Sequence, residues 1–461
     1  MFGLLTTVLD RLITKGNLSI TDSKGSIYYY GDNSGTPVHI KINDQKWERD
    51  IALNPALKLG EGYMESGFDF LRGDIFRLFE IIFESNGPDA EKAPWMRALQ
   101  FTRKLTKRLL QMNNLSRSSS NVRHHYDLSG KLYDLFLDSD WQYSCAYFET
   151  PSNTLEEAQL AKKRHLAAKL CIEEGQKLLD IGCGWGGLGL YMARFLKTDV
   201  TGVTLSHEQH AIANRRATEE GLENHCRFLL QDYRSLEEQF DRIVSVGMFE
   251  HVGVGHYKEY FAKVKKLLKP DGIFLLHSIG RNGAPGSTNP FLRKYIFPGG
   301  YIPALSEVLP LIEKSGLVVT DIEILRVHYA DALRAWRHAF MARRDEAKAL
   351  YDERFCRMWE FYLAASESAF RWQNMMVFQI QLAHKQDAVP LIRDYITQAE
   401  ERLRKLDTPK AHTSHPLIYK TAIASNGETA QADNARTATE IDTKMLKETA
   451  SPASTETAET R

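Results

Sequence analysis

Residues 177–190 read KLLDIGCGWGGLGL, and this stretch decides the fold. An apolar run ends in Asp180, glycines fall at 182, 184, 186, 187 and 189, and apolar residues resume. A strand entering a tight glycine loop that opens a helix makes a cradle for a nucleoside-bearing cofactor. The plainer reading is a loop that only packs a strand against a helix. Gly182, Gly184 and Gly187 also satisfy G-x-G-x-x-G, which keeps a nicotinamide dinucleotide in play.

Toward the C-terminus the periodicity alternates. LLDI precedes a helix over 187–196, DVTGVTL precedes one over 206–220, and CRFLLQ leads on to RIVSVGM. A helix over 256–268 and the strand GIFLLHSIG complete the run. This pattern predicts an α/β fold with a parallel, doubly wound sheet and a ligand at the carboxyl ends of its strands. A dinucleotide site wants an acid about 20 residues past the glycine loop. The second strand instead ends Val203-Thr204-Leu205-Ser206, without a carboxylate. Asp180, placed as D-x-G-x-G, and Asp232, in QDY after the third strand, suit S-adenosylmethionine better. Its sulfonium also favours aromatic neighbours such as Tyr233 or Trp185.

Toward the N-terminus, residues 1–88 predict a small α+β domain. It has an amphipathic helix over 1–15 and a hairpin of Ser26–Tyr30 with Val38–Lys41. Gly60, Gly62, Gly67 and Gly73 break the following chain into short pieces before a helix near 74–84. Residues 89–122 hold a basic amphipathic helix (95–113, with Arg103, Lys104, Lys107 and Arg108) and a serine-rich link. The main domain spans 123–406. Within it, 132–148 carries six aromatics around Cys145, and 281–303 is a glycine- and proline-rich insertion suited to shaping a channel or lid. Residues 305–316 predict a helix, VVTDIEIL a strand, and 328–350 and 354–374 helices with aromatic stripes. A last helix, AVPLIRDYITQAEERLRKL, runs to about 406, and the Thr-, Ala- and Glu-rich tail 407–461 reads as disordered.

Fifty-nine basic against 59 acidic residues leave no net field, which disfavours general nucleic-acid binding. The five scattered cysteines lack CxxC spacing, so neither a metal site nor a disulfide framework is expected, and the usage suits a reducing compartment. No apolar run is long enough to span a bilayer, and the N-terminal stretch makes a poor signal peptide. Cys145, read from its spacing alone, is an apolar filler before it is a nucleophile.

Longer motifs narrow the assignment. The chain resembles the cyclopropane-fatty-acyl-phospholipid synthases and their mycolic acid cyclopropane synthase relatives. The resemblance rests on YSCAYF (143–148), LDIGCGWGGL (179–188), VTGVTLSHEQ (200–209), LLQDYR (229–234), FDRIVSVGMFEHVG (240–253), YFAKVKKLLKPDGIFLLHSIG (260–280) and YIFPGGYIP (295–303). It implies a Rossmann-like class I S-adenosylmethionine methyltransferase sheet. It also implies methylene transfer from S-adenosylmethionine to the cis double bond of a phospholipid acyl chain, closing a cyclopropane ring. Bicarbonate would be the base, held by Cys145 (chiefly through its main chain), Glu250, His277, Ile279 (through its backbone) and Tyr329. The donor would meet Ser144, Asp180, Gly182, Gly184, Thr204, Leu205, Gln209, Asp232 and Tyr233. The expected partners are unsaturated phospholipids at the membrane surface, reached by a cytoplasmic protein peripherally bound to the inner face, and a homodimer is compatible with the resemblance. Arg334, Arg337, Arg343 and Arg344 are candidates for docking phospholipid headgroups. The rival readings are a methyltransferase acting on an olefinic lipid without ring closure or on a soluble small molecule, and a non-catalytic lipid-binding protein.

Overall fold

Burial alternates along the first strands, and that alternation builds a small N-terminal layer. The computed structural model describes residues 2–86 and 130–408, and the described chain up to Leu406 packs as one compact unit. The basic helix at 95–113, its serine-rich link and the tail beyond 408 lie outside the described residues. After a helix at Phe2–Leu12 come β1 (Leu18–Thr21), β2 (Ile27–Tyr30), β3 (Val38–Ile42) and β4 (Phe68–Arg72), in the sheet order β2-β1-β3-β4.

The expected β2–β3 hairpin does not form. β1 lies between the two strands, antiparallel to β2 and parallel to β3. The reason lies in the turn residues. Asp32 Oδ1 accepts from the Gly16 amide at 2.9 Å, and the Gly16 carbonyl accepts from Asn33 N at 3.0 Å. Residues 31–35 therefore close on Gly16 as well as on themselves, where Ser34 also donates to Asp32 Oδ1.

The glycines at 60 and 62 do not break the chain either. Pro55–Met64 is one helix, with proline at its first position, where the missing N–H costs nothing. A Cβ at residue 60 would stand 2.4 Å from Cδ2 of Phe291, so glycine there admits a ring that is fully buried in the N-terminal core. Phe291 belongs to the helix Pro290–Tyr295 inside the 281–303 insertion. Glu61 accepts from Lys58 (2.6 Å), Lys294 (2.7 Å) and the Tyr295 hydroxyl (2.9 Å), which fastens that insertion to the N-terminal layer.

The main sheet comprises β5 (Lys177–Ile181), β6 (Asp199–Thr204), β7 (Cys226–Leu230), β8 (Phe240–Val246), β9 (Leu268–Arg281), β10 (Val318–Ile324) and β11 (Met375–Ala383). Its order is β10-β11-β9-β8-β5-β6-β7. β5 to β9 are parallel as expected, whereas β11 inserts antiparallel between β9 and β10. The sheet is mixed. Helices Leu155–Leu170, Gly187–Leu196 and His207–Glu219 contribute to one buried cluster with Ile273 and Leu275 of β9, and helices Tyr257–Leu267 and Leu305–Ser315 to another with Phe274 and Leu276. Among the described residues no helix is long and apolar enough to cross a membrane.

Adding a methyl at residue 60 must displace Phe291. Gly60→Ala should lower stability by about 1–3 kcal/mol, as overpacking typically does. Thermal unfolding of the full chain checks this, and an unchanged melting temperature would contradict the close approach.

Candidate functional site

The glycine loop is pinned before any ligand arrives. The amides of Gly182 and Cys183 both donate to the Val203 carbonyl, at 2.9 and 3.1 Å. Gly182 has φ +81°, and a Cβ there would lie 2.8 Å from that of Met248, so backbone closeness and conformation both demand glycine. The loop opens the helix Gly187–Leu196 beside a cleft at the carboxyl ends of β5, β6 and β8. All nine residues expected on the donor side line this one cleft: Ser144, Asp180, Gly182, Gly184, Thr204, Leu205, Gln209, Asp232 and Tyr233.

Their chemistry differs. Burial pushes the Asp180 carboxyl up to about 7, with Lys162 acting against it. The Thr204 hydroxyl donates to Gln209 Oε1 at 2.8 Å. Asp232 is already clamped by Arg234, at 2.9 Å from Nε and 2.7 Å from Nη2, so any adenine contact must share that carboxylate. Trp185 Nε1 is buried without a partner.

Sequence reasoning missed Lys162. This buried side chain lines the cleft and donates to Gln142 Oε1 (2.5 Å) and Ser144 Oγ (2.8 Å). Burial lowers its pKa to about 8, opposed by Asp138. Its position within a helix of even polarity gave no period to single it out.

None of the five residues expected around the anion is among those lining the cleft. Glu250 lies in the 3-10 turn Phe249–His251, between Met248 and His251, which do line the cleft. β8 pairs with β9 only as far as Val246↔His277, and Gly247 N then donates to the His277 carbonyl at 3.0 Å. The next amide on that strand edge, Ile279 N, has no strand partner and donates to Glu250 Oε1 at 2.6 Å. Glu250 Oε2 is buried with no partner, and burial pushes the carboxyl up to about 7.

His277 lies inside β9, with Nδ1 3.2 Å from Gln379 Nε2 of β11. Burial holds its pKa down to about 3. Cys145 and Tyr329 share one apolar cluster, against which Ile279 packs, with Trp336, Trp359 and Phe370. Burial pushes the Cys145 thiol far above the ordinary range, so it stays protonated. The four arginines considered for headgroup docking are engaged within the chain, with Asp331 (Arg334), Glu367 (Arg337), Glu346 (Arg343) and Glu353 (Arg344).

A mixed seven-stranded sheet with this loop-and-cleft arrangement defines a class I S-adenosylmethionine methyltransferase fold. The profile described as mycolic acid cyclopropane synthetase matches residues 113–380. Cyclopropane-fatty-acyl-phospholipid synthase of Escherichia coli (strain K12) is 39% identical over 350 residues, covering 76% of this chain and 88% of that protein. The solved cyclopropane synthase MmaA2 from Mycobacterium tuberculosis superposes with TM-score 0.57 at 36% identity, over 59% of this chain and all of that one. Mycolic acid cyclopropane synthase CmaA1, solved with SAH and CTAB, gives TM-score 0.55 at 35% identity, over 57% and 97% of the two chains. The chain belongs to the mycolic acid cyclopropane synthetase family.

Glu250 titrates near 4.5 when unfolded and near 7 when folded, so the folded state binds more protons between those values. Stability contributed by this group therefore falls as pH rises from about 4.5 through 7. Without ligands, Glu250→Gln should stabilise the protein at pH 8 relative to pH 5, by on the order of 2 kcal/mol. Unfolding at the two pH values measures it, and a pH-independent difference would refute the assignment.

Proposed function

We propose that this protein closes cyclopropane rings on cis-unsaturated acyl chains of membrane phospholipids, using S-adenosylmethionine and a bound bicarbonate. The observation that carries the reading is Glu250. One oxygen is fixed by the Ile279 amide, and the other is buried, unpartnered and basic enough to accept a hydrogen bond near neutral pH. A carboxylate tolerates an anion beside it only when one of them brings a proton, and the hydroxyl of bicarbonate fits that need. The donor likewise fits its cleft, where buried Asp180 and the unpaired Trp185 Nε1 lack the solvent that would otherwise satisfy them.

When bound, S-adenosylmethionine supplies an electrophilic methyl and bicarbonate the base for the proton lost as the ring closes. The chain's own residues do the rest. Glu250, His277, the Cys145 backbone and Tyr329 hold the base, and the Ile279 backbone acts through Glu250, which its amide fixes. Ser144, Asp180, Gly182, Gly184, Thr204, Leu205, Gln209, Asp232 and Tyr233 hold the donor. The ring cluster of Tyr143, Phe136, Trp336, Trp359 and Phe370 surrounds Cys145 and Tyr329. Such walls exclude the water that would trap a cationic carbon, and their faces attract positive charge. The acyl chain is taken from phospholipid at the inner membrane face by a peripherally associated protein.

Vesicles of cis-unsaturated phospholipid, incubated with the protein and labelled donor, should yield acyl chains heavier by one CH₂ that have lost their olefin. Turnover should drop in buffer stripped of carbon dioxide and return with added bicarbonate. A product that keeps its unsaturation would redirect the assignment to olefin methylation without ring closure. Glu250→Gln should cost at least about a hundredfold, the scale of a lost proton-transfer site. Cys145→Ala should cost far less, because the thiol is protonated and only its backbone is used. The reverse ranking would sink this account of the anion site.

A further inference from the structure

β11 lays Gln379 directly opposite His277 in its antiparallel register with β9. Opposed residues of paired strands share a face of the sheet. Here that face carries Lys169, from the helix Leu155–Leu170, whose Nζ donates to Gln379 Oε1 at 2.8 Å. Gln379 Nε2 stands 3.2 Å from His277 Nδ1. Lys169, Gln379 and His277 are each no more than 2% exposed, so water does not compete for these bonds.

The orientation of the amide follows from donor and acceptor chemistry. An ammonium has no lone pair, so the amide atom facing Lys169 is the oxygen. The atom facing the imidazole is therefore the NH₂, which donates. His277 Nδ1 must accept, so in the neutral ring the proton sits on Nε2. Lys169 is itself held against Glu323, with Asp321 3.6 Å away, and Glu323 also meets His165 at 2.7 Å.

We infer that Lys169 and Gln379 are positioning residues that fix His277 as the Nε2–H tautomer, so that the ring meets its ligand as a hydrogen-bond donor. The consequence for catalysis rests on the bicarbonate reading of the site, whereas the tautomer itself does not. A ring with its proton on Nε2 offers N–H to an anion oxygen. With the proton on Nδ1 it would instead present a lone pair to an anion and compete with it as a base. Lys162, Lys169 and His165 face the ring from the covering helix and Glu323 from β10, with Glu250 bonded two residues along the same strand edge. Burial keeps the ring neutral, the three cationic groups act in the same direction, and Glu323 opposes them.

The test is a long-range ¹H–¹⁵N spectrum of the full chain labelled in histidine, with His277 assigned by its loss in His277→Asn. The expected pattern is Nε2–H at neutral pH, persisting down to about pH 5. Gln379→Glu puts a carboxylate on Nδ1. Where it moves the proton there, Nε2 loses its hydrogen and ring formation should fall by about 10–100-fold; where it charges the ring instead, Nε2–H survives and the acid limb of the pH–rate profile should move upward. Lys169→Met should release the amide and give a mixture of tautomers. A wild-type ring carrying its proton on Nδ1, or a Gln379→Glu protein with unchanged tautomer and pH profile, overturns the inference. The wild-type spectrum needs no variant to fold. Bicarbonate-dependent turnover with an Nδ1–H ring would overturn the positioning role alone. An Nε2–H ring in an enzyme indifferent to bicarbonate would support the tautomer and overturn only the anion reading.

Discussion

The hydrogen bond from the Ile279 amide to Glu250 ties together the parts on which the site depends. β8 stops pairing at Val246↔His277 while β9 runs on to Arg281, and the carboxylate meets the next amide on that edge in place of a strand residue. The same residue's backbone carbonyl accepts from Tyr301 N at 2.9 Å, so the turn after β8 also holds the end of the insertion. A buried amide left without that carboxylate would cost about as much as any orphaned backbone donor, on the order of 1–3 kcal/mol. Glu250 is thus structural through one oxygen and available through the other.

Withheld solvent is the common feature of both halves of the site. Asp180 and Glu250 are pushed up to about 7, Lys162 is lowered to about 8, and His277 to about 3. In each case desolvation is the largest cause, and neighbouring charges only modify it. Groups in that condition favour whatever supplies the missing hydrogen bond or opposite charge, since the gain is taken in a medium less polarisable than water. The cost of keeping them has two signs: the raised Asp180 and Glu250 carboxyls destabilise the ligand-free protein as pH rises, and the lowered Lys162 and His277 do so as pH falls below their unfolded values. Proteins commonly hold such strain where ligands relieve it.

The cleft was legible in the sequence and the surroundings of Glu250 and His277 only partly so. Glycine spacing, Asp180 and the absence of an acid near Thr204 depend on local chain geometry, and all nine donor-side residues meet in one cleft. His277 and Glu250 were found only through longer motifs, because their roles arise from strands meeting across the sheet. β11 escaped altogether. MMVFQIQLA follows the aromatic helix expected over 354–374 and carried no expected element, although Gln379 and Gln381 stand two apart in an otherwise apolar run, a strand signature. The N-terminal errors have a different origin. Glycine was read as a breaker at 60, where it is a socket for Phe291, and residues 26–41 were read as one hairpin, where Asp32 instead accepts from Gly16. Both depend on partners distant in sequence.

The N-terminal layer bears on the chemistry because its contacts run without interruption to Glu250. Phe291 seats against Gly60, Lys294 and Tyr295 meet Glu61, and the same insertion ends at Tyr301, whose amide holds the Glu250 carbonyl. Tyr63 adds a second tie through its hydroxyl to Glu360, at 2.9 Å, on the helix Glu353–Trp372. That helix also supplies Trp359 to the aromatic cluster around Cys145 and Tyr329. Two separate routes therefore join the first 86 residues to Glu250 and to the Cys145–Tyr329 cluster, one through the insertion and one through packed rings. Shifts of a few tenths of an ångström matter at a centre where one carboxylate oxygen must stay on an amide and the other must stay free. A layer that contributes no residue to the cleft can still set its geometry.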